Sequence, residues 1–166
     1  MRSRHAAALL ILALSTAGHA SALHAQQRTT PVEGVWRLVE EVDRRADGSV
    51  IKTGPDAGYD GLLIFTGSGY MSSTIMPKGR TWRRDGVTPA ELRATFEAAS
   101  AHAGQYRCDS TAHTIRMQNE VALDPADERE WDTVSYRVKQ DTLELSGDWT
   151  YNDEKLRFAI RLARVQ

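Results

Sequence analysis

The sequence predicts a mainly β protein, an antiparallel up-and-down barrel of about 8–9 short strands with one α-helix over about residues 89–103. Three observations predict this. Stretches of alternating apolar and polar residues recur along the chain, with turn residues about every 8–12 positions. The connections between them are short and rich in Asp, Gly, Asn and Pro, so successive strands return antiparallel; a parallel sheet would need a helix between each pair. A single capping sequence opens one helical stretch.

The elements follow in order. From Gly34 the pattern places Trp36, Leu38 and Val42 on one face, with Glu40 the exception, and Arg37 and Glu41 on the other. Ala46-Asp47-Gly48-Ser49 holds an Asp-Gly turn, and Val50-Ile51 begins the returning strand. Residues 54–60 read as loop, and Leu62 to Phe65 as a short apolar strand. Gly67-Ser68-Gly69 turns the chain, and Tyr70 to Met76 runs back. Thr88 is a helix N-cap, Pro89 suits the first helical position and Glu91 completes the capping box. Leu92, Phe96 and Ala99 recur at helical spacing, and Gly104 is expected to stop the helix. Strands are then expected at 105–108, 114–121, 133–139, 142–145 and 156–165. In the last, Leu156, Phe158, Ile160 and Leu162 alternate with Arg157 and Arg161.

The chain of 166 residues argues for one domain. Its 21 Lys and Arg against 22 Asp and Glu offer no overall attraction to nucleic acid or to an anionic membrane. The single cysteine, Cys108, excludes an intramolecular disulfide and a multi-cysteine metal cluster.

The first 25 residues read as a signal peptide: Arg2 and Arg4, an apolar run from Ala6 to Ala17 too short to span a bilayer, then small residues up to Ala25. Cleavage is expected after Ala22 or Ala25. The mature protein is then periplasmic or secreted, with no membrane span. Residues 26–33 form an N-terminal arm, and 34–166 the barrel domain. Loss of Arg2 and Arg4 leaves 19 basic residues against 22 acidic, a net charge of −3, and only His102 and His113 of the five histidines.

Gly34-Val35-Trp36-Arg37-Leu38 resembles the Gly-x-Trp signature of lipocalin-type barrels. Gly61-Leu62-Leu63-Ile64-Phe65-Thr66 with Gly69-Tyr70-Met71-Ser72, then Gly104-Gln105-Tyr106 and Asp141-Thr142-Leu143-Glu144-Leu145-Ser146, resembles the bacterial and fungal lipocalin-like domain family. The resemblance covers about residues 32–165. It implies a closed barrel with a central cavity, Trp36 plugging one end and Arg164 covering that indole as a cation–π partner. It also implies a small-molecule role, since some relatives bind or act on small molecules. Two positions depart from the pattern: Met117 stands where relatives often have His, and Ser135 where they tend to have Arg.

No catalytic constellation emerges. His102 and His113 have no His-x-His or His-Glu-x-x-His spacing, and read as solvated. Asp124, Asp127, Glu128, Glu130 and Asp132 lack the spacing and glycine of a calcium loop. Arg80, Trp82, Arg83 and Arg84 form a basic-aromatic cluster, read as an exposed loop or a lid over the barrel mouth; net acidity argues against nucleic acid. Gly67-Ser68-Gly69 is a hairpin turn, not a nucleophile elbow. No metal and no cofactor is expected. Tyr70, Tyr106, Tyr136, Trp131 and Trp149 are the candidate lining of a ligand cavity, because aromatics combine apolar area with a polar tip. The expected function is binding of a small hydrophobic or amphipathic molecule. The alternatives are an isomerase-, cyclase- or hydrolase-type enzyme using the same cavity, and a structural or partner-binding envelope protein. A titratable group deep in the cavity with a shifted pKa would discriminate enzyme from binder.

Overall fold

The computed structural model describes residues 30–80, 86–127, 131–151 and 154–166. Nine strands are connected in chain order: β1 (Gly34–Arg44), β2 (Val50–Thr53), β3 (Tyr59–Phe65), β4 (Tyr70–Pro77), β5 (Ser100–Asp109), β6 (Thr114–Ala122), β7 (Trp131–Lys139), β8 (Thr142–Tyr151) and β9 (Glu154–Arg164). From β3 to β9 each strand pairs with the next, β1 pairs with β3, and β9 pairs back onto β1. Eight strands therefore close an antiparallel barrel, and β2 is an extra strand on the upper part of β1. Closure removes the unpaired strand edges that would otherwise invite association.

The Trp36 end, here called the bottom, is filled with side chains. Trp36, Phe65, Leu38, Ile115, Leu143 and Leu162 are almost completely buried. The incoming chain seals this end. Val32 is fully buried, and its carbonyl accepts the Trp36 Nε1 hydrogen bond at 2.7 Å. Arg164 lies over the indole, its guanidinium carbon 4.1 Å from the ring centroid, and donates from Nη1 to the Glu33 carbonyl at 2.9 Å.

Two bulges set which side chains face inward higher up. Leu38 pairs with Leu162 but Glu40 with Arg161, so Val39 is an extra residue on β1. Alternation has a period of two, and one extra residue inverts it. Above the bulge, Glu41 opposes Ile160 and Asp43 opposes Phe158, all on the inner face. Glu40 is left outside, where Lys52 and Arg161 pair with it at 3.3 and 3.5 Å. The sequence pattern, which set Val42 inward and Glu41 outward, is thus reversed beyond residue 39. The second bulge lies on β6, where Ala103 opposes Val121 but Gly104 opposes Asn119. A Cβ at Gly104 would clash with the Gln118 carbonyl oxygen, so only glycine allows this approach.

The helix α1 (Pro89–Glu97) has the expected capping box, with Thr88 and Glu91 bonded reciprocally. It is shorter than the sequence suggested. Ser100–Gly104 belong to β5, paired with β4 and β6 on either side, and those two ladders override the helical spacing of Ala99 and the stop expected at Gly104. Consequently His102 is not at a helix end but on a strand. None of the α1 residues is buried, and Leu92 and Phe96 are exposed.

Candidate functional site

The upper half of the barrel is where the inner face changes character. At the level of Trp36 and Phe65, inward positions are almost entirely apolar. Above Leu38 they include Glu41 and Asp43 on β1, Ser73 on β4, His102 on β5, Asn119 on β6 and Asp132 on β7. Among these, Asp43 and Ser73 are nearly buried, at 7% and 5% exposure.

The carboxylate pair on β1 is the chemical centre of this region. Glu41 and Asp43 sit two residues apart on one face of a strand, so their Cα atoms are about 7 Å apart. Asp43 accepts a hydrogen bond from the indole Nε1 of Trp149 at 3.0 Å, reaching from β8 past the intervening β9. Burial raises the Asp43 pKa, and the Trp149 hydrogen bond opposes that rise. Glu41 has no such donor among the described residues. Its pKa is raised from the usual 4.5 to about 7, first by loss of solvation and then by the negative charge of Asp43. A carboxyl group poised near neutrality can act as either hydrogen-bond donor or acceptor toward a bound molecule, or exchange a proton with it. Phe158, opposite Asp43, adds apolar surface: its ring lies over Gly147, where a Cβ would come within 2.9 Å of it.

The chain matches the lipocalin-like domain family over residues 33–160. It belongs to that family. No curated protein and no solved structure matches the chain significantly. In this lipocalin-like barrel the inner face is polar in its upper half, above a packed apolar floor.

Of the five aromatics the sequence put forward, this lipocalin-like domain places two in the floor, two outside the floor's reach, and one at the rim. Tyr106 and Tyr136 are buried in the lower half. The Tyr106 hydroxyl donates to the Thr66 carbonyl at 2.9 Å and lies 3.1 Å from Thr30 Oγ1; its ring meets Phe65 edge-on at 5.1 Å. Tyr70 does not line the interior. It is 49% exposed, because Met71, Ser73 and Ile75 take the inward positions of β4. Trp131 also faces outward, paired with Gln118, with the guanidinium carbons of Arg107 and Arg116 at 4.9 and 5.3 Å from its ring. Trp149 stands at an inward position on the rim, 41% exposed, opposite buried Leu156. Met117, at the position where relatives often have His, faces inward between Tyr106 and Asp132, while Ser135 is exposed on the outside.

Glu41 and Asp43 are the residues that sequence reasoning missed. The signal was present in the failed alternation at Glu40, where two adjacent glutamates follow an apolar run: a break in the two-residue period marks a bulge. Cys108 is half-buried at an inward position opposite Ile115. Among the described residues no group of three or more His, Cys, Asp or Glu side chains gathers as a metal site would need. No helix among them is long and apolar enough to cross a membrane. Residues 81–85 and 128–130, which hold Trp82, Arg83, Arg84, Glu128 and Glu130 of the two charged clusters, lie outside the described residues, as does the proposed leader.

Proposed function

We propose that this lipocalin-like domain is an exported protein that binds one small hydrophobic or amphipathic molecule in the upper half of its barrel. The observation that carries this reading is the division of the interior at Leu38: packed apolar side chains below, and above them Glu41 and Asp43 facing inward beside Trp149 and Phe158. An amphipathic ligand would lay its apolar part on Phe158, Ile160 and the top of the floor, and offer a polar group to Glu41. Export is supported by the leader-like first 25 residues. Cleavage after Ala22 or Ala25 leaves Thr30 and Val32, which close the bottom of the barrel, in the mature chain.

Native mass spectrometry of the protein purified from its host tests the reading directly: a co-purifying small molecule is expected. Titration with fatty acids, isoprenoids and aromatic polyketides should give a saturable one-to-one response in the micromolar range, about −8 kcal/mol. Glu41→Gln should change the affinity. The absence of any saturable response across the panel would refute it. Sequencing the N-terminus of the host-made protein should give Leu23 or Gln26, and recovery of Met1 would refute export.

A second reading, a small-molecule enzyme of isomerase, cyclase or hydrolase type, is favoured by the raised pKa of Glu41 alone. Under it, turnover follows the ionisation of Glu41 near neutrality, and Glu41→Gln abolishes turnover while ligand binding persists.

A further inference from the structure

The outer wall of the barrel has two unlike sides. On one, the strand register lines up alternating charges: Arg137 on β7 opposes Glu144 on β8, Glu144 opposes Arg161 on β9, and Arg161 opposes Glu40 on β1. Lys52 on β2 continues that row, paired with Glu40 at 3.3 Å. On the other side the corresponding row is uncharged. It runs from Val35 on β1 through Ile64 on β3, Ser72 on β4 and Ala103 on β5 to Val121 on β6, each opposite the next. The row above it holds Leu62, Thr74 and Ala101, also in register, with Arg37 at its β1 border. Between Asp60 and Thr66 on β3, Tyr70 and Met76 on β4, and Ala101 and Gln105 on β5, no outward residue is charged. Val35, Leu62, Ile64 and Val121 are exposed. Single aliphatic residues in water are ordinary, whereas a contiguous set marks a surface that is covered in use.

We propose that this face binds the same face of a second copy of the chain, about a two-fold axis running along β4. The distribution of side-chain size fits a copy of itself. The β3 flank carries the large Leu62 and Ile64, and the β5 flank carries the small Ala101 and Ala103 in the same two rows. A two-fold along β4 sets β3 of each copy on β5 of the other, so Leu62 meets Ala101 and Ile64 meets Ala103, twice over. The strands of the two sheets then run nearly aligned, one of the two usual packings of sheet on sheet. The charged side of the wall has no such option, because closing it would strip the Arg137–Glu40 row of its water. With strands about 4.8 Å apart and residues about 3.4 Å apart along them, the face and its Val35 and Val121 shoulders measure roughly 20 by 20 Å, about 400 Å². A permanent contact buries about 800 Å² per partner, so the dimer is weak and reversible, with a dissociation constant on the order of 10–100 µM.

Sedimentation velocity of the host-made protein from about 1 to about 500 µM tests the proposal, and a monomer–dimer equilibrium is expected across that range. Ile64→Lys should weaken it about tenfold or more, since the charge enters the interface twice. Ala103→Ile should also weaken it about tenfold, although it adds apolar area, because the new side chain meets Ile64 of the other copy. The double variant Ile64→Ala/Ala103→Ile exchanges large for small on both flanks and should recover to within about threefold of wild type. Ser146→Lys, on the charged side, should associate as wild type does. All these positions face outward, so melting temperatures measured at about 1 µM should stay close to that of the wild type. Flotation with phosphatidylethanolamine–phosphatidylglycerol vesicles is the comparison arm. A protein that stays monomeric at about 500 µM, an unaffected Ile64→Lys, or a double variant as weak as its two parents would each overturn the proposal. So would Ala103→Ile strengthening association, or vesicle binding that Ile64→Lys abolishes, which would assign the face to a membrane.

Discussion

The indole Nε1 of Trp149 donates to the Asp43 carboxylate at 3.0 Å, joining two residues 106 positions apart and tying β1 to β8 on the inner face of the barrel. Asp43 is 7% exposed, and this donor compensates part of the cost of burying its charge. Trp149→Phe keeps the ring but removes the donor. At pH 8 it should destabilise the fold by roughly 1.5–3 kcal/mol, the usual worth of a hydrogen bond to a charged group. The cost should shrink at pH 4 as Asp43 takes up a proton. Urea unfolding at the two pH values checks this.

Glu41 gives the protein a pH dependence of definite sign. Its pKa is raised from 4.5 to about 7 on folding, so between those values the native state holds more of a proton than the unfolded state. Stability therefore falls as pH rises through that window and stays low above it. The loss should be roughly 2–3 kcal/mol, allowing for partial solvent access. Asp43, also raised, acts in the same direction. Glu41→Gln should be more stable than wild type at pH 8 and about equal to it below pH 4.5. Urea midpoints across pH 4–8 measure the difference, and parallel curves would exclude a shifted Glu41.

Gly104 allows the bulge between β5 and β6. In Gly104→Ala the new methyl group would meet the Gln118 carbonyl oxygen and the Glu120 nitrogen, both backbone atoms that no side-chain rotation can move. A loss of about 1–3 kcal/mol is expected. Thermal unfolding checks it, with Gly104→Ser expected to behave no better.

Trp36 and Arg164 should differ sharply in cost although they touch. Trp36→Ala removes a fully buried ring and should cost about 3–5 kcal/mol. Arg164→Gln removes a cation–π contact and a hydrogen bond to Glu33, and should cost about 1–2 kcal/mol. A Trp36→Ala protein melting within a degree or two of wild type would remove Trp36 from its place as the barrel floor.

Tyr70 and Tyr106, one residue type on neighbouring strands, should part company. Tyr70→Ala should stay within about 0.5 kcal/mol of wild type and leave ligand binding untouched. Tyr106→Phe, which breaks the link to Thr66 and Thr30, should cost about 1 kcal/mol.

By itself the sequence determined the barrel class, the order of its strands, the Thr88–Glu91 cap and the inward Trp36 and Leu38 of the floor, but not Tyr106 and Tyr136, which the structure adds to it. These depend on local information: a two-residue period, turn residues at fixed places, and side chains too large and apolar to leave in water. The resemblance to lipocalin-type barrels implied Trp36 and Arg164 as a pair, with the last strand's alternation giving Arg164 the inward parity. What tertiary structure alone decided is the phase of the strands above the floor. The Val39 bulge inverts the face of every later residue on β1, carrying Glu41 and Asp43 in and Val42 out. The pairing of β4 with β3 and β5 sets Tyr70 outside, and two flanking ladders draw Ser100–Gly104 from helix into strand. Each outcome depends on which residue of a distant strand stands opposite. A slip of one position exchanges inside for outside at no local cost that the sequence could display.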